Sequence, residues 1–134
     1  MKHKELYREK HIRDDGWLSE LVSMEYDDTP FDCLHSYLVS IKPGRTRAKH
    51  YHKEKEEWIA IVSGRVALLL KDVYSGEQDK IILDTTTEEY KLIYLPPHTA
   101  HAIKNIGDGD ASVVVFSTMP EDPNDTIPYE IGGV

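Results

Sequence analysis

Short apolar segments recur along this chain at nearly even spacing: Ser36 to Ile41, Arg45 to His52, Trp58 to Ser63, Arg65 to Val73, Lys80 to Thr85, Lys91 to Leu95, His101 to Asn105 and Ser112 to Ser117. Residues that break regular structure separate them, namely Lys42-Pro43-Gly44, Ser63-Gly64, Ser75-Gly76, Pro96-Pro97 and Gly107-Asp108-Gly109. No useful length of chain carries apolar positions at the 3.6-residue period of a helix, and short runs bounded by turn signals are strands. The pattern predicts an all-β sandwich or barrel.

The two ends are less regular. Asp14-Asp15-Gly16 is a turn signal leading into an expected strand over Trp17 to Val22, Tyr26 to Asp32 reads as a loop, and residues 1–12 read as an arm or an edge strand. From Met119 onward the chain holds Pro120, Pro123, Pro128 and Gly132-Gly133. This tail, residues 119–134, is expected to cross the surface or a cavity mouth without structure of its own.

A chain of 134 residues, 40% hydrophobic, is a single domain that buries about two-thirds of its unfolded surface. The formal net charge of −8 argues against a nucleic-acid surface as its main business, because phosphate neutralisation needs a basic stripe, and no nucleic-acid partner is expected. Locally the sign reverses: Arg45, Arg47, Lys49, Lys53 and Lys55 surround His50 and His52, a placement that attracts an anionic small molecule. Lys53 and Lys55 are read as solubilising side chains on an exposed turn. Cys33, the lone cysteine, permits no internal disulfide and reads as an apolar filler. With neither a signal-peptide-like start nor a membrane-spanning apolar run, the expected compartment is the cytoplasm and no membrane partner is expected.

The candidate chemistry lies between Gly44 and Gly64. Side chains alternate across a strand, so His50 and His52 face one side, where two imidazoles can hold one cation or one substrate. After a charged turn the chain re-enters an apolar run, bringing a carboxylate opposite the histidines; Glu54, Glu56 and Glu57 all compete, although Glu56 and Glu57 cannot both face inward. Tyr51 and Trp58 have the opposite parity and are assigned to packing.

These residues carry a resemblance. Gly44, five residues, His50-x-His52, four residues, Glu57, six residues and Gly64 are similar to the first motif of the cupin superfamily. Pro96-Pro97-His98-Thr99-Ala100-His101 through Asn105 resembles its second motif, with His98 where that motif has a glycine and Tyr90 where it has its first glycine. The resemblance implies a double-sheet jelly roll, selects Glu57 as the carboxylate and adds His101. His50, His52, Glu57 and His101 are then candidate ligands for a divalent metal, with Zn, Fe, Mn, Ni and Co all compatible. His98 is expected in solvent.

Within the superfamily, Arg47-Ala48-Lys49-His50-Tyr51-His52 resembles the Arg-Gly-Leu-His-Tyr-Gln motif of the dTDP-4-dehydrorhamnose 3,5-epimerases. In that family the Arg meets a diphosphate oxygen and the His removes a proton beside the sugar ketone. His52 replaces the family's Gln and restores a metal ligand, as in the metal-holding cupin domain of bifunctional capsular polysaccharide enzymes. Phe116 falls near the position of the family's proton-donating Tyr. The resemblance implies an epimerase or ketoisomerase acting on a nucleotide-diphospho-4-keto-6-deoxyhexose, with His50 as base and Arg47, Lys49 and Tyr94 at the substrate. Two alternatives are a metal-dependent cupin oxygenase or isomerase for a small acid, and a non-catalytic sugar-binding cupin. A homodimer is expected. Arg47 and His50 stand three apart and would face opposite ways in a regular strand, so a bulge or a site shared between subunits is required.

Overall fold

In the computed structural model, which describes residues 1–30 and 32–132, twelve strands run as β1 (Lys4–Arg8), β2 (His11–Arg13), β3 (Gly16–Leu18), β4 (His35–Ile41), β5 (Thr46–His52), β6 (Glu57–Ser63), β7 (Arg65–Asp72), β8 (Gln78–Asp84), β9 (Tyr90–Leu95), β10 (Thr99–Asn105), β11 (Ala111–Ser117) and β12 (Thr126–Pro128). Two five-stranded antiparallel sheets result, ordered β1-β9-β6-β11-β4 and β12-β5-β10-β7-β8, with β2 and β3 forming a separate hairpin. Most consecutive strands from β4 to β11 change sheet, which is the connectivity of a jelly roll and agrees with the all-β expectation.

Alternation explains the core. Ile59 and Ile61 on the first sheet, and Leu68, Leu70 and Ile103 on the second, are almost wholly buried and pack in one cluster between the sheets. Trp58, Tyr90 and Leu92 occupy the other face of the first sheet yet are also buried. Residues 16–30 cover them: Trp17 lies 5.3 Å from Tyr90, and Leu21 and Val22 pack on the core. Arg8 anchors this covering segment, donating to the Leu21 carbonyl at 2.8 Å, to both carboxylate oxygens of Asp28 and to Thr29. A guanidinium this buried is stable only because its donors are matched in this way.

Three expectations change. The strand expected over Trp17 to Val22 is only Gly16–Leu18, because its partner is the short β2 and Leu21 leaves to cover the sheet. The tail expected to lack structure contributes β12, whose Thr126, Ile127 and Pro128 pair with His52, Tyr51 and His50; Gly133 lies outside the described residues. Lys55, read as solubilising, is buried, with its side chain 1% exposed, because the C-terminal segment closes over it. The N-terminal strand β1 pairs with β9 and forms an edge of the first sheet.

Candidate active site

The site is assembled from both sheets. His50 and His52 project inward from β5, His101 is the cross-strand partner of His50 on β10, and Glu57 opens β6 on the opposite sheet. Their ligand atoms all lie within 4.8 Å of one another, and three of the four residues are buried. The ring centroids of His50 stand 4.8 Å from those of both His52 and His101.

A bulge in β5 decides which other side chains join them. Ala48 and Lys49 adopt left-handed backbone conformations, with φ of 71° and 60°, and the β5–β10 register skips from His50 to Ala48. Lys49 is the extra residue. The slip restores inward parity at Arg47, which pairs with the inward-facing Ile103 and lines the same cavity as His50. Two consecutive non-glycine residues at positive φ are costly, about 1–2 kcal/mol each, and conformations of this kind gather where a site needs a backbone re-aimed.

That cavity has a volume of about 170 Å³ and is lined by Arg47, His50, Glu57, His101, Tyr37 and Glu121 among others. A larger recess of about 490 Å³ lies farther along β6, by Ile61, Asp84 and Lys91, but it contains none of the histidines. The smaller cavity is the one that His50, Glu57 and His101 line.

Hydrogen bonds orient the histidines and Glu57. Carbonyl oxygens only accept, so His52 Nδ1 donates to the Asp125 carbonyl at 3.1 Å and His101 Nδ1 donates to the Thr99 carbonyl at 3.3 Å. In neutral rings this leaves each Nε2 as a lone pair facing inward. His52 Nε2 is buried without a well-aligned hydrogen bond, although Glu57 Oε1 is 3.1 Å away; His101 Nε2 is 3.6 Å from the same oxygen. The other carboxylate oxygen of Glu57 accepts from Tyr37 at 2.5 Å and from Ser117 at 3.0 Å. One carboxylate oxygen and two imidazole lone pairs thus converge on one point, an arrangement that a cation between them would satisfy.

The titration of these groups follows from their surroundings. Burial, then the neighbouring His101 and His52, push the His50 pKa down to about 4, against the opposing pull of Glu57 and Glu121. Burial also lowers His101, only partly offset by Glu57. For Glu57 burial acts upward, but the histidines and the Tyr37 hydrogen bond outweigh it and hold the carboxyl far below the usual range. Burial, then Glu57, raise Tyr37 well above an ordinary phenol, so its proton is firmly held.

The C-terminal segment, expected to be featureless, clamps the site from outside. Asp125 accepts backbone N–H bonds from Lys53, Glu54 and Lys55 at 2.9–3.1 Å, locking the turn between His52 and Glu57. Glu121, from the same segment, lines the cavity. Sequence reasoning missed Tyr37, Ser117, Glu121 and Asp125. Tyr37 was within reach, since Tyr37, Val39 and Ile41 share the less exposed face of β4. Nothing local marks Glu121 or Asp125.

Two residues expected at the substrate are not among those lining the cavity. Tyr94 pairs in register with Trp58 and so has the opposite parity to Glu57; its hydroxyl donates to Glu56 and its ring packs on Trp58 at 5.5 Å. Lys49 is exposed because it is the bulged residue. His98, expected in solvent, is half-buried but stays outside the cluster: it adopts φ 65° in the glycine position of the motif, and its ring lies 4.9 Å from that of Tyr74, tilted by 52°.

A jelly roll with inward histidines and a carboxylate from facing sheets defines a cupin-type barrel. Within that class, residues 13–127 match the family described as polysaccharide biosynthesis C-terminal domain, and the chain belongs to it. It is 25% identical over 118 residues to the spore coat polysaccharide biosynthesis protein SpsL of Bacillus subtilis (strain 168), covering 86% of this chain and 78% of that one. Its fold is that of the dTDP sugar isomerase from Desulfovibrio desulfuricans G20, with a TM-score of 0.88 at 15% identity over 98% of this chain and 86% of that one. It is also that of QdtA, a sugar 3,4-ketoisomerase from Thermoanaerobacterium thermosaccharolyticum solved with TDP, with a TM-score of 0.77 at 21% identity over 93% and 86% of the two chains. A variant of QdtA has been solved with TDP-4-keto-6-deoxyglucose. Among the described residues no helix is long and apolar enough to cross a membrane.

Proposed function

We propose that this protein is a sugar-nucleotide isomerase or epimerase that acts on a nucleotide-diphospho-4-keto-6-deoxyhexose during polysaccharide synthesis. The observation that carries the reading is the β5 bulge, which puts Arg47 and His50 on one cavity wall with Tyr37 opposite. About 170 Å³ is less than the ~300 Å³ lower bound for a drug-sized ligand, so the cavity encloses the sugar and leaves the nucleotide outside. Arg47 offers a planar fork to the diphosphate at the rim.

Isomerising a 4-ketose requires a proton taken from a carbon beside the ketone, somewhere for the enolate charge, and a proton returned. His50, neutral near pH 7 because its pKa is about 4, presents a free imidazole lone pair for the first step. The C–H electron pair moves into the ring to form the enolate, and the carbonyl oxygen takes the charge. Tyr37 holds its proton until that charge develops; its O–H then turns from Glu57 to the intermediate and gives the proton to a ring carbon as the enolate electron pair forms the new C–H bond, and solvent reprotonates the phenolate. Before that turn Glu57 holds the hydroxyl in place by accepting its hydrogen bond at 2.5 Å.

We further propose that His52, Glu57 and His101 hold a divalent metal such as Zn, Fe, Mn, Ni or Co, which leaves the lone pair of His50, the fourth member of the cluster, free for the substrate. The convergence of two imidazole lone pairs and one carboxylate oxygen, with His52 Nε2 otherwise unpartnered, supports the fit. When bound, such an ion supplies Lewis-acid stabilisation to an oxyanion. The same cluster favours a second reading, a metal-dependent cupin isomerase or oxygenase for a small acid. A homodimer completes the proposal: Leu34, Leu38 and Met24 are exposed by 81%, 70% and 82%, and β4, which carries Leu38, is an unpaired edge strand.

Deuterium wash-in to TDP-4-keto-6-deoxyglucose, followed by NMR, tests the first reading. Exchange by the wild type that is lost in His50→Ala supports it; no exchange by metal-replete protein on any 4-keto-6-deoxyhexose nucleotide refutes it. Elemental analysis of the purified protein against His52→Ala tests the metal, and light scattering of wild type against Leu38→Asp tests the dimer.

A further inference from the structure

Lys55 and Glu121 form an unequal pair. The lysine side chain is 1% exposed while the glutamate is 63% exposed, with Lys55 Nζ 3.3 Å from Glu121 Oε2. Burying an ammonium costs several kcal/mol unless a charge compensates it. Here the cation lies inside the fold, and Glu121, which it holds, lines the cavity together with His50, Glu57 and Tyr37.

The carboxylate is restrained a second time. Thr126, at the start of β12, donates to Glu121 Oε1 at 2.7 Å. Each oxygen therefore has one fixed donor and further lone-pair capacity directed away from it. Both donors belong to elements that also hold the metal-ligand set: Lys55 sits on the turn locked by Asp125, and Thr126 pairs with His52. Glu121 is consequently pre-positioned relative to His50, and such fixed acceptors confer selectivity for the group that completes them.

We propose that Glu121 is a substrate-contact residue that accepts a hydrogen bond from a hydroxyl group of the hexose ring. The assignment rests on the nucleotide-sugar reading above and deepens it. It gives the site a polarity: Arg47 at the rim takes the diphosphate, and Glu121 reads ring hydroxyls beside the reacting carbon. A cavity walled by the carboxylates of Glu57 and Glu121 and the imidazoles of His50 and His101 accepts donors there and repels anions, so phosphate is kept to the Arg47 end.

Calorimetric titration with TDP and with TDP-4-keto-6-deoxyglucose separates the two ends of the substrate. Wild type should bind both. Glu121→Leu should weaken the sugar nucleotide by about tenfold or more while leaving TDP within twofold, since a lost hydrogen bond to a charged acceptor is worth about 1.5–3 kcal/mol. Glu121→Gln keeps one acceptor and should fall between them; it also carries the test if Glu121→Leu does not fold. Lys55→Met, which releases the carboxylate without removing it, should lose part of the same preference. Equal affinities in wild type and both Glu121 variants overturn the assignment, as does a parallel loss of TDP and sugar nucleotide, which marks a purely structural role. Wild type that binds neither ligand refutes the nucleotide-sugar reading itself and the assignment with it.

Discussion

Tyr37 donates its hydroxyl hydrogen to Glu57 Oε2 at 2.5 Å, reaching over the intervening strand β11. The other oxygen of the same carboxylate faces His52 and His101. Glu57 thus divides its two oxygens between a proton donor and an imidazole pair, coupling the acid of the proposed reaction to the ligand set.

Replacing Tyr37 by Phe removes the donor and keeps the ring. Turnover should fall by about 10²–10⁴-fold, the usual contribution of a positioned acid, while bound metal per chain stays unchanged. Single-turnover kinetics alongside elemental analysis read both quantities. Unchanged turnover would assign the acid elsewhere.

Arg47 should act on binding rather than on chemistry. Arg47→Ala is expected to raise KM for a nucleotide sugar by about 10–100-fold with kcat nearly retained, because the diphosphate contact is equal in ground and transition states. A matched fall in kcat would place the guanidinium at the reacting centre instead.

Asp125→Ala removes the acceptor of three backbone N–H groups in the turn between His52 and Glu57. Leaving such donors unmatched costs about 1–3 kcal/mol each where water cannot reach, so a loss of about 2–4 kcal/mol is expected. Chemical denaturation measures it. Asp125→Asn, which retains one acceptor oxygen, should recover part of the loss.

Stability of the metal-free protein should depend on pH through the histidine cluster. His50 binds its proton less readily folded, at about 4, than at its ordinary value of 6.5, so between those values the unfolded chain holds more protons. Stability is complete above about 6.5, falls as pH drops toward 4, and loses no more from this residue below that. Thermal melts of chelator-treated protein should show the slope, and His50→Gln should flatten it. An identical slope in that variant would move the effect to other groups.

How much of this was readable from the amino acids alone varies by element. Strand spacing and breakers such as Lys42-Pro43-Gly44 identify eight of the twelve strands, because alternation and turn chemistry are local properties. Alternation along one strand puts His50 and His52 on one face, while Glu57 and His101 were chosen only through the resemblance to the two cupin motifs; all four lie together. Arg47 exposed the limit of that logic: strict alternation turns it away from His50, and only the bulge at Ala48 and Lys49 brings it back.

Tertiary structure alone decided what closes the site. Glu121 and Asp125 sit in a Pro-containing stretch with no periodicity, and they reach the turn at residues 53–55 across some seventy positions because β12 pairs with β5. Lys55 looked like any surface lysine until that segment covered it. Tyr94 looked like a site residue until its register with Trp58 turned it away. The sequence by itself determined strands, turns and the ligand spacing, which depend on neighbours a few residues apart. Pairing between distant strands decided the walls, including the places of Tyr37 and Glu121, because those contacts exist only once the two sheets have closed.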